Sequence, residues 1–487
     1  MKQLLSLIII IQNSTSAFAQ SGITWSMGMN IAANSYDNMH PRMSLNGAGQ
    51  PMVVWGKMSD KSVQFTRWNG AAFTTPIKLN PAWMTVAGAS WMGPDIASKG
   101  DTVYVVVKRE PEAADTNRIF IFTSYNGGVS FNAPVELAVI ADSLTRFPTI
   151  TTDASGNPIV AYMKFNSSFL ESRWVVTKSM NYGASFMTDV KASGYSGVNA
   201  EVCDCCPGAI VTSGNKTVML YRDNLSNIRD IWCGLSTNNS TSFPSGFAVD
   251  NNNWMVMSCP SSGPDGVIIG DTIYSTFMSS STGTNLNYLS KSSISNAAVN
   301  TVSKLTGSIA GLNGQNFPRI ANDGNAMAIV WTQNVSGSNQ LPILFNKDIT
   351  SGLAAKYDTV DLADVTNADV AMKNGNIFVV WQDDNSGTVK YRKGTYQVTP
   401  TMTIEINSPL FSIYPNPSND FWQVSIPNNQ YALSYTLTDI NGNIVGAELI
   451  TKGNSSLKIP NTNLAIGQYI LTLHTHNTYY NYSIIKK

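Results

Sequence analysis

Charge of one sign, long apolar runs and histidine are all scarce in this chain of 487 residues, and each shortage excludes something. Charged residues make up 13%, and Lys plus Arg (31) equals Asp plus Glu (31), so no basic field exists to draw in nucleic acid or an anionic membrane. Beyond the first twenty residues no stretch reaches the apolar length of a membrane-spanning helix, and no stretch reads as a long amphipathic helix. The 3 histidines are His40, His474 and His476. With so few, a Ser-His-Asp or Cys-His engine is not expected, and His40 reads as a loop residue beside Pro41.

What is present instead is Asn, Ser, Thr and Gly at the polar positions, with 10% aromatic residues, the composition of chains built from strands and turns. Residues 1–19 have the layout of a cleaved export signal. Lys2 gives a positive start, residues 4–11 form a short apolar run, and Ala17-Phe18-Ala19 is a small-x-small site before Gln20.

Seven segments then repeat one pattern: a Pro-x-Ile-like start, a Gly or Asn turn, a β-rich run ending in an aromatic, a polar loop and a further strand. The starts are Pro41-Arg42-Met43, Pro94-Asp95-Ile96, Pro148-Thr149-Ile150, Pro207-Gly208-Ala209, Pro264-Asp265-Gly266, Pro318-Arg319-Ile320 and the degenerate Ala368-Asp369-Val370, spaced 50 to 59 residues apart. The runs end at Trp55, Tyr162, Tyr221, Phe277, Trp331 and Trp381, with Val107 holding the place in the second. That density of strands at a fixed period predicts an all-β, seven-bladed propeller over residues 20–399, with six blades and one irregular repeat as the alternative. The seventh repeat stops after its third strand. Gly22-Ile23-Thr24-Trp25-Ser26 matches Gly128-Val129-Ser130-Phe131-Asn132, so the N-terminal segment is expected to supply the missing outer strand and remove an open edge.

Between third and fourth strands stand Ser124-Tyr125-Asn126-Gly127-Gly128-Val129-Ser130-Phe131, Ser179-Met180-Asn181-Tyr182-Gly183-Ala184-Ser185-Phe186 and a weaker copy, residues 236–243. An Asx side chain can bond local amides there, Gly takes the tight turn, and the aromatic pins the hairpin to its blade. These segments resemble the Asp-box of sialidases and related BNR-repeat proteins, Ser-x-Asp-x-Gly-x-Thr-Trp, with Asn in place of Asp. The resemblance implies the fold; in that family the motif lies on the face opposite the site.

After Pro400 the pattern changes. Residues 400–487 carry Tyr414-Pro415-Asn416-Pro417, Asp439-Ile440-Asn441-Gly442, then Leu464 and Gly467-Gln468-Tyr469, and end at Lys486-Lys487. This order resembles the C-terminal sorting domain of type IX secretion substrates of Bacteroidetes. The resemblance implies a small immunoglobulin-like β-sandwich, recognition by the type IX machinery, and a secreted or outer-membrane-surface location.

Blade connectivity assigns the residues after each opening proline, and the loops joining second to third strands, to the face opposite the Asp-box turns. That face collects Arg42, Asp95, Asp204, Arg222, Asp223, Arg229, Asp230, Asp265, Arg319 and Asp369, a ring of mixed charge that either binds a ligand or pairs internally. Cys203, Cys205, Cys206, Cys233 and Cys259 are expected on or near the same face. In an exported chain they read as disulfides stapling long loops. A vicinal Cys205–Cys206 bridge and the pairings Cys203–Cys233 and Cys206–Cys259 are all open, with one sulfur left over. Three sulfurs within four residues can also hold a metal, but no histidine accompanies them, and no metal or cofactor is assigned.

The sialidase resemblance would place Arg42, Arg222 or Arg229, and Arg319 on a substrate carboxylate, with Tyr391, Glu201 and Asp95 completing the chemistry. Against it, Pro41-Arg42-Met43 reverses the family's Arg-Ile-Pro opening, and sialidases of this type have six blades. The expectation is therefore an exported propeller that binds extracellular glycans or a surface protein through its loop face. A sialidase-type hydrolase and a structural matrix component are the alternatives.

Overall fold

The computed structural model describes residues 22–33, 35–113, 118–137, 143–397, 411–426, 432–450, 455–475 and 479–487. The expected export signal lies outside the described residues, as does His476. The chain divides into two compact units, Met1–Thr399 and Pro400–Lys487.

In the first unit the described residues form seven antiparallel sheets. Their inner strands are Asn38–Leu45, Asp95–Lys99, Ser143–Thr152, Ala209–Ser213, Asp265–Ile269, Leu312–Asp323 and Val365–Lys373. Each inner strand touches the next, and Val365–Lys373 touches Asn38–Leu45, so the ring is closed. The second strands, such as Pro51–Lys57, Pro158–Asn166 and Asn376–Asp383, are buried over nearly their whole length, because neighbouring sheets cover both of their faces. This is why they read as continuous apolar runs rather than alternating ones. Trp55, Tyr162, Tyr221, Phe277, Trp331 and Trp381 are all buried between sheets.

The last sheet is completed from the other end of the propeller. Ile23–Trp25 runs antiparallel to Thr388–Tyr396, pairing Ile23 with Tyr396, Thr24 with Thr395 and Trp25 with Gly394. A little further on, Met29 pairs with Tyr391. Ile23 is 2% exposed and joins the core formed by Val379, Trp381 and Tyr396.

The three Asn-containing hairpins are built alike. Ser124 Oγ donates to Asn126 Oδ1 and accepts the Gly128 amide, while Asn126 Oδ1 accepts the Ser130 amide. Ser179, Asn181, Gly183 and Ser185 repeat these bonds, and so do Ser236, Asn238, Ser240 and Ser242. Phe131 then packs edge-on against Phe65 of the preceding sheet, ring centroids 4.9 Å apart.

The second unit is a two-sheet sandwich. A three-stranded sheet (Ser412–Tyr414, Phe421–Ser425, Ser456–Pro460) and a four-stranded one (Ile444–Leu449, Ala432–Asp439, Gly467–Thr475, Tyr479–Lys486) share a core that includes Trp422, Leu437, Tyr469 and Leu471.

Ile23→Ala removes the buried anchor of the closing strand. It should destabilise the propeller by about 2–5 kcal/mol, read as a lowered urea midpoint, and should leave the midpoint of the second unit's own transition unchanged.

Candidate functional site

The chemistry of the axis begins with strained backbone. Pairing between first and second strands slips between Met39 and Arg42, between Arg146 and Thr149, and between Asn316 and Arg319. At each slip the residue before the proline takes a left-handed conformation, with φ +55° at His40, +52° at Phe147 and +49° at Phe317. Such residues cost of order 1–3 kcal/mol each and persist where surrounding structure holds them. Each bulge re-aims the side chains just beyond it: Arg42, Thr149 and Arg319 all line an axial cavity of about 720 Å³, counted out to open solvent. His40, Trp91, Phe147 and Phe317 line it too.

Around that cavity the carboxylates are committed. Asp95 accepts hydrogen bonds from the Ile96 amide (2.9 Å), the Thr149 hydroxyl (2.9 Å) and the Ile150 amide (3.1 Å). Asp265 accepts from the Ile320 amide and Asp369 from the Met43 amide, at 2.9 and 2.8 Å. Arg319 lies between the last two, its Nε 3.4 Å from Asp265 and 3.2 Å from Asp369. Burial pushes the Asp95 and Asp265 carboxyls up, against the pull of Arg319. His40 is buried and held well below its ordinary value, first by burial and then by Arg42. Its Nδ1 meets the Ser90 carbonyl at 3.2 Å, which can only accept, so the neutral ring carries its proton there.

Arg42 is different. Its side chain is buried, yet it makes no ion pair among the described residues and uses one of its five N–H donors, on the Pro41 carbonyl at 2.8 Å. Burial and the neighbouring Arg319 bring its guanidinium down to about 10. Both axial cations keep donors to spare, since Arg319 bonds through Nε alone, but Arg42 is the one without an ion pair among the described residues.

At the rim, Thr85–Val86 pairs with Arg109 and Glu110 at the end of the second sheet's second strand, on the same side as the inner strand, and pins the loop that presents Trp83 and Trp91. Trp91 is 46% exposed, and the Arg146 guanidinium stands 5.9 Å from its ring centre. Arg146 is held by Glu112, which also pairs with the buried Lys108 at 2.9 Å.

A second cluster sits off the axis, where the loops entering the fourth and fifth sheets meet. They meet closely: a Cβ at Gly263 would come 1.9 Å from the Pro207 carbonyl. Cys205 and Cys259 are bonded across these loops, with Cα atoms 6.3 Å apart. Cys203 Sγ lies 2.7 Å from Cys206 Sγ, 3.5 Å from Cys205 Sγ and 3.0 Å from Arg229 Nη1. The contact with Cys206, helped by Arg229 and opposed by burial, brings the Cys203 thiol to about 7, while burial pushes Cys206 well up. The four sulfurs lie within 4.8 Å of one another. A tetrahedral metal with bonds of about 2.3 Å would hold its sulfurs roughly 3.8 Å apart, so the close Cys203–Cys206 approach suits sulfur chemistry better than coordination.

The sequence-derived candidates therefore separate. Arg42, Asp95, Asp265, Arg319 and Asp369 do meet, at the axis. Arg222, Asp223, Arg229 and Asp230 belong to the off-axis cluster, with Asp204 on the cysteine loop, where its carbonyl accepts from Arg146. Arg222 is a strut: buried, it donates to the Ser262, Arg229 and Met278 carbonyls. Three expectations need correction. Tyr391 is a core residue against Phe73 and Phe378, because both faces of its sheet are covered. Glu201 accepts the Glu171 amide on a peripheral loop and is not among the residues lining the axial cavity. The disulfide is Cys205–Cys259, not the vicinal bridge, Cys203–Cys233 or Cys206–Cys259; Cys233 is buried within a strand, paired with Leu220 and Phe247 rather than on the loop face. Sequence reasoning did not single out Trp91, Phe147 or Phe317. The last two stand just before opening prolines, which is a usable signal; Trp91 sits in an irregular loop and leaves none.

Ring closure, sheets of four or five antiparallel strands and an axial cavity together define an all-β propeller, followed in the chain by a β-sandwich. Residues 412–487 match the secretion system C-terminal sorting domain. The chain is thus an exported cargo of the type IX system, destined for the cell surface or the medium. No curated protein matches its sequence. Among solved structures it is similar to an ulvan lyase (10% identity, 74% of this chain and 94% of that one, TM-score 0.50). It is also similar to an α-L-arabinofuranosidase of Fusarium graminearum (11%, 67% and 98%, TM-score 0.45) and to the Trypanosoma rangeli sialidase (10%, 95% and 89%, TM-score 0.43). At these identities the likeness is one of fold. No helix among the described residues is long and apolar enough to cross a membrane.

The electrostatics predict two outcomes. Arg319→Met leaves Asp265 and Asp369 buried without their shared cation and should destabilise the propeller by about 3–5 kcal/mol in chemical denaturation. Asp250, buried beside Asp230, is pushed up to about 7 by burial. Its raised value favours folding below the unfolded carboxylate range and loses that advantage as pH rises through about 7. Asp250→Asn should therefore raise the melting temperature by a few degrees at pH near 8 relative to wild type and by nothing near pH 4 (values chosen either side of the shift).

Proposed function

We propose that this exported propeller binds the end of a glycan in its axial cavity and does not cleave it. The observation that carries the reading is Arg42, a buried guanidinium lining the cavity with unused donors. A carboxylate or a pair of sugar hydroxyls presents the acceptors it lacks, and a bond to a charged donor of this kind contributes about 1.5–3 kcal/mol. Trp91 offers an exposed ring at the rim against which a sugar face can stack.

Hydrolysis is disfavoured by what the acids are doing. A glycosidase needs two carboxylates, or a carboxylate and a tyrosine, facing the scissile bond. Asp95, Asp265 and Asp369 are taken up by backbone amides and Arg319. Tyr391 is buried in the core.

The test is a glycan array that includes sialylated, uronate-containing and sulfated ends, probed with the full exported chain, followed by calorimetry on the best ligand. Arg42→Gln should weaken binding by about 10- to 100-fold, and the exposed Trp91→Ala by a comparable factor without lowering the melting temperature. Fluorophore release from a sialoside or an arabinofuranoside, lost on Asp95→Asn, would replace binding with catalysis. Affinity unchanged by Arg42→Gln would move the ligand elsewhere.

A further inference from the structure

Four of the five cysteines are gathered at one point, and the fifth is set apart from them. Cys233 is fully buried in the strand Ile231–Ser236, its thiol pushed up to about 12 by burial, which leaves it unreactive. Cys203, Cys205 and Cys206 stand in the turn before the inner strand Ala209–Ser213. Cys259 stands in the loop before Asp265–Ile269. Within the cluster the sulfurs are graded by access: Cys259 is exposed, Cys205 half-buried, Cys203 and Cys206 buried. They are graded by charge as well, since the Arg229 guanidinium touches Cys203 and stabilises its thiolate over the thiol.

We propose that Cys203, Cys205, Cys206 and Cys259 form a thiol–disulfide exchange centre, in which a single disulfide moves between the exposed Cys205–Cys259 position and the buried Cys203–Cys206 position. The first step is attack of the Cys203 thiolate on Cys205 Sγ, 3.5 Å away. It forms a Cys203–Cys205 bond, breaks Cys205–Cys259, and the Cys259 sulfur leaves with the electron pair and takes up a proton. In the second step Cys206, 2.7 Å from Cys203, gives up its proton and attacks Cys203 Sγ. Cys203–Cys206 forms, the Cys203–Cys205 bond breaks, and Cys205 leaves as a thiolate and is protonated. One disulfide and two thiols are present before and after, so no outside oxidant or reductant is consumed.

The move has a structural consequence. With the bond at Cys205–Cys259 the two loops are tied covalently; with it at Cys203–Cys206 the loop carrying Cys259 is held by hydrogen bonds alone, among them Arg222 on the Ser262 carbonyl and Arg229 on the Val256 carbonyl. That loop also holds the exposed Met255 and Met257, and Ser261, Gly263 and Pro264 at its end line the axial cavity. That form presents a dithiol, the half-buried Cys205 and the exposed Cys259, to disulfides of other extracellular proteins.

The experiment is acid quenching of the full chain, alkylation with N-ethylmaleimide in denaturant, and peptide mass mapping. In wild type a measurable fraction of molecules should carry label on Cys259 together with an internal Cys203–Cys206 loop. Cys203→Ser removes the attacking sulfur and should cut Cys259 labelling at least tenfold (the effect of removing the nucleophile outright). Cys206→Ser removes the resolving sulfur and should trap the Cys203–Cys205 linkage with Cys259 labelled. The proposal fails if Cys259 is unlabelled in wild type, if Cys203→Ser leaves its labelling unchanged, or if Cys206→Ser retains only Cys205–Cys259. It fails equally if both disulfides occur in one molecule, which is a static double staple, or if elemental analysis finds a stoichiometric zinc or copper with all four sulfurs reduced.

Discussion

Apolar sheets packed face to face attract one another without direction, and a ring needs each sheet held at one angle and one height. In this propeller that role falls to polar bonds between successive sheets, most of them at the inner strands. Ser44 and Ser98 join the first sheet to the second at 2.6 Å, and Thr151 and Thr212 join the third to the fourth at 3.2 Å. Arg222 ties the fourth to the fifth through the Ser262 and Met278 carbonyls. The remaining joints use buried carboxylates: Asp95 on the Ile150 amide, Asp265 on the Ile320 amide, Arg319 on Asp369, and Asp369 on the Met43 amide. Each such charge is expensive to bury unless satisfied, so each also enforces the register that satisfies it. The separation of 55 residues in both Asp95–Ile150 and Asp265–Ile320 is the sequence period expressed as a bond.

That economy decides what the axis can do. An acid that bonds a neighbouring blade's backbone is committed to that joint, and moving it to serve a substrate would loosen it. Arg42 has no such duty. The joint it would serve is carried by Ser44 and Ser98 two residues further along, so its guanidinium reaches the cavity with donors unspent. The left-handed His40 that precedes Pro41 is the strain through which that placement is held.

Much of the architecture was legible in the residues, for a simple reason. Repeats, turn chemistry and continuous apolar runs are local patterns, and the match of residues 22–26 to residues 128–132 disclosed the closing strand by the same means. The mouth face was legible too, since connectivity alone sorts loops by end. Partner choice was not. Whether Arg222 faces a ligand or three carbonyls depends on atoms up to 56 positions away, and no periodicity encodes that. Tyr391 shows a second blind spot: a strand covered on both faces has no polar side to say which way a tyrosine looks. The cysteines show a third. Three sulfurs within four residues are nearly equivalent in sequence, and which of them reaches Cys259 depends on how two loops 54 residues apart meet in space.

Ring closure shows how modest forces suffice once the blades are in place. The joint that spans 55 residues recurs around the ring, whereas Thr24 meets Thr395 across 371. Loop entropy grows only with the logarithm of length, so the longer closure costs about 2 kcal/mol more than an ordinary joint. Against that, burying Ile23 contributes about 1.5–3 kcal/mol. The Arg392 guanidinium 5.2 Å from the Trp25 ring adds to it, and so does the Met43 amide on Asp369. The closing strand thus has only to match a small entropic excess. It does so while covering the free edge of Thr388–Tyr396, which in an exported chain would otherwise be open to pairing with a second copy.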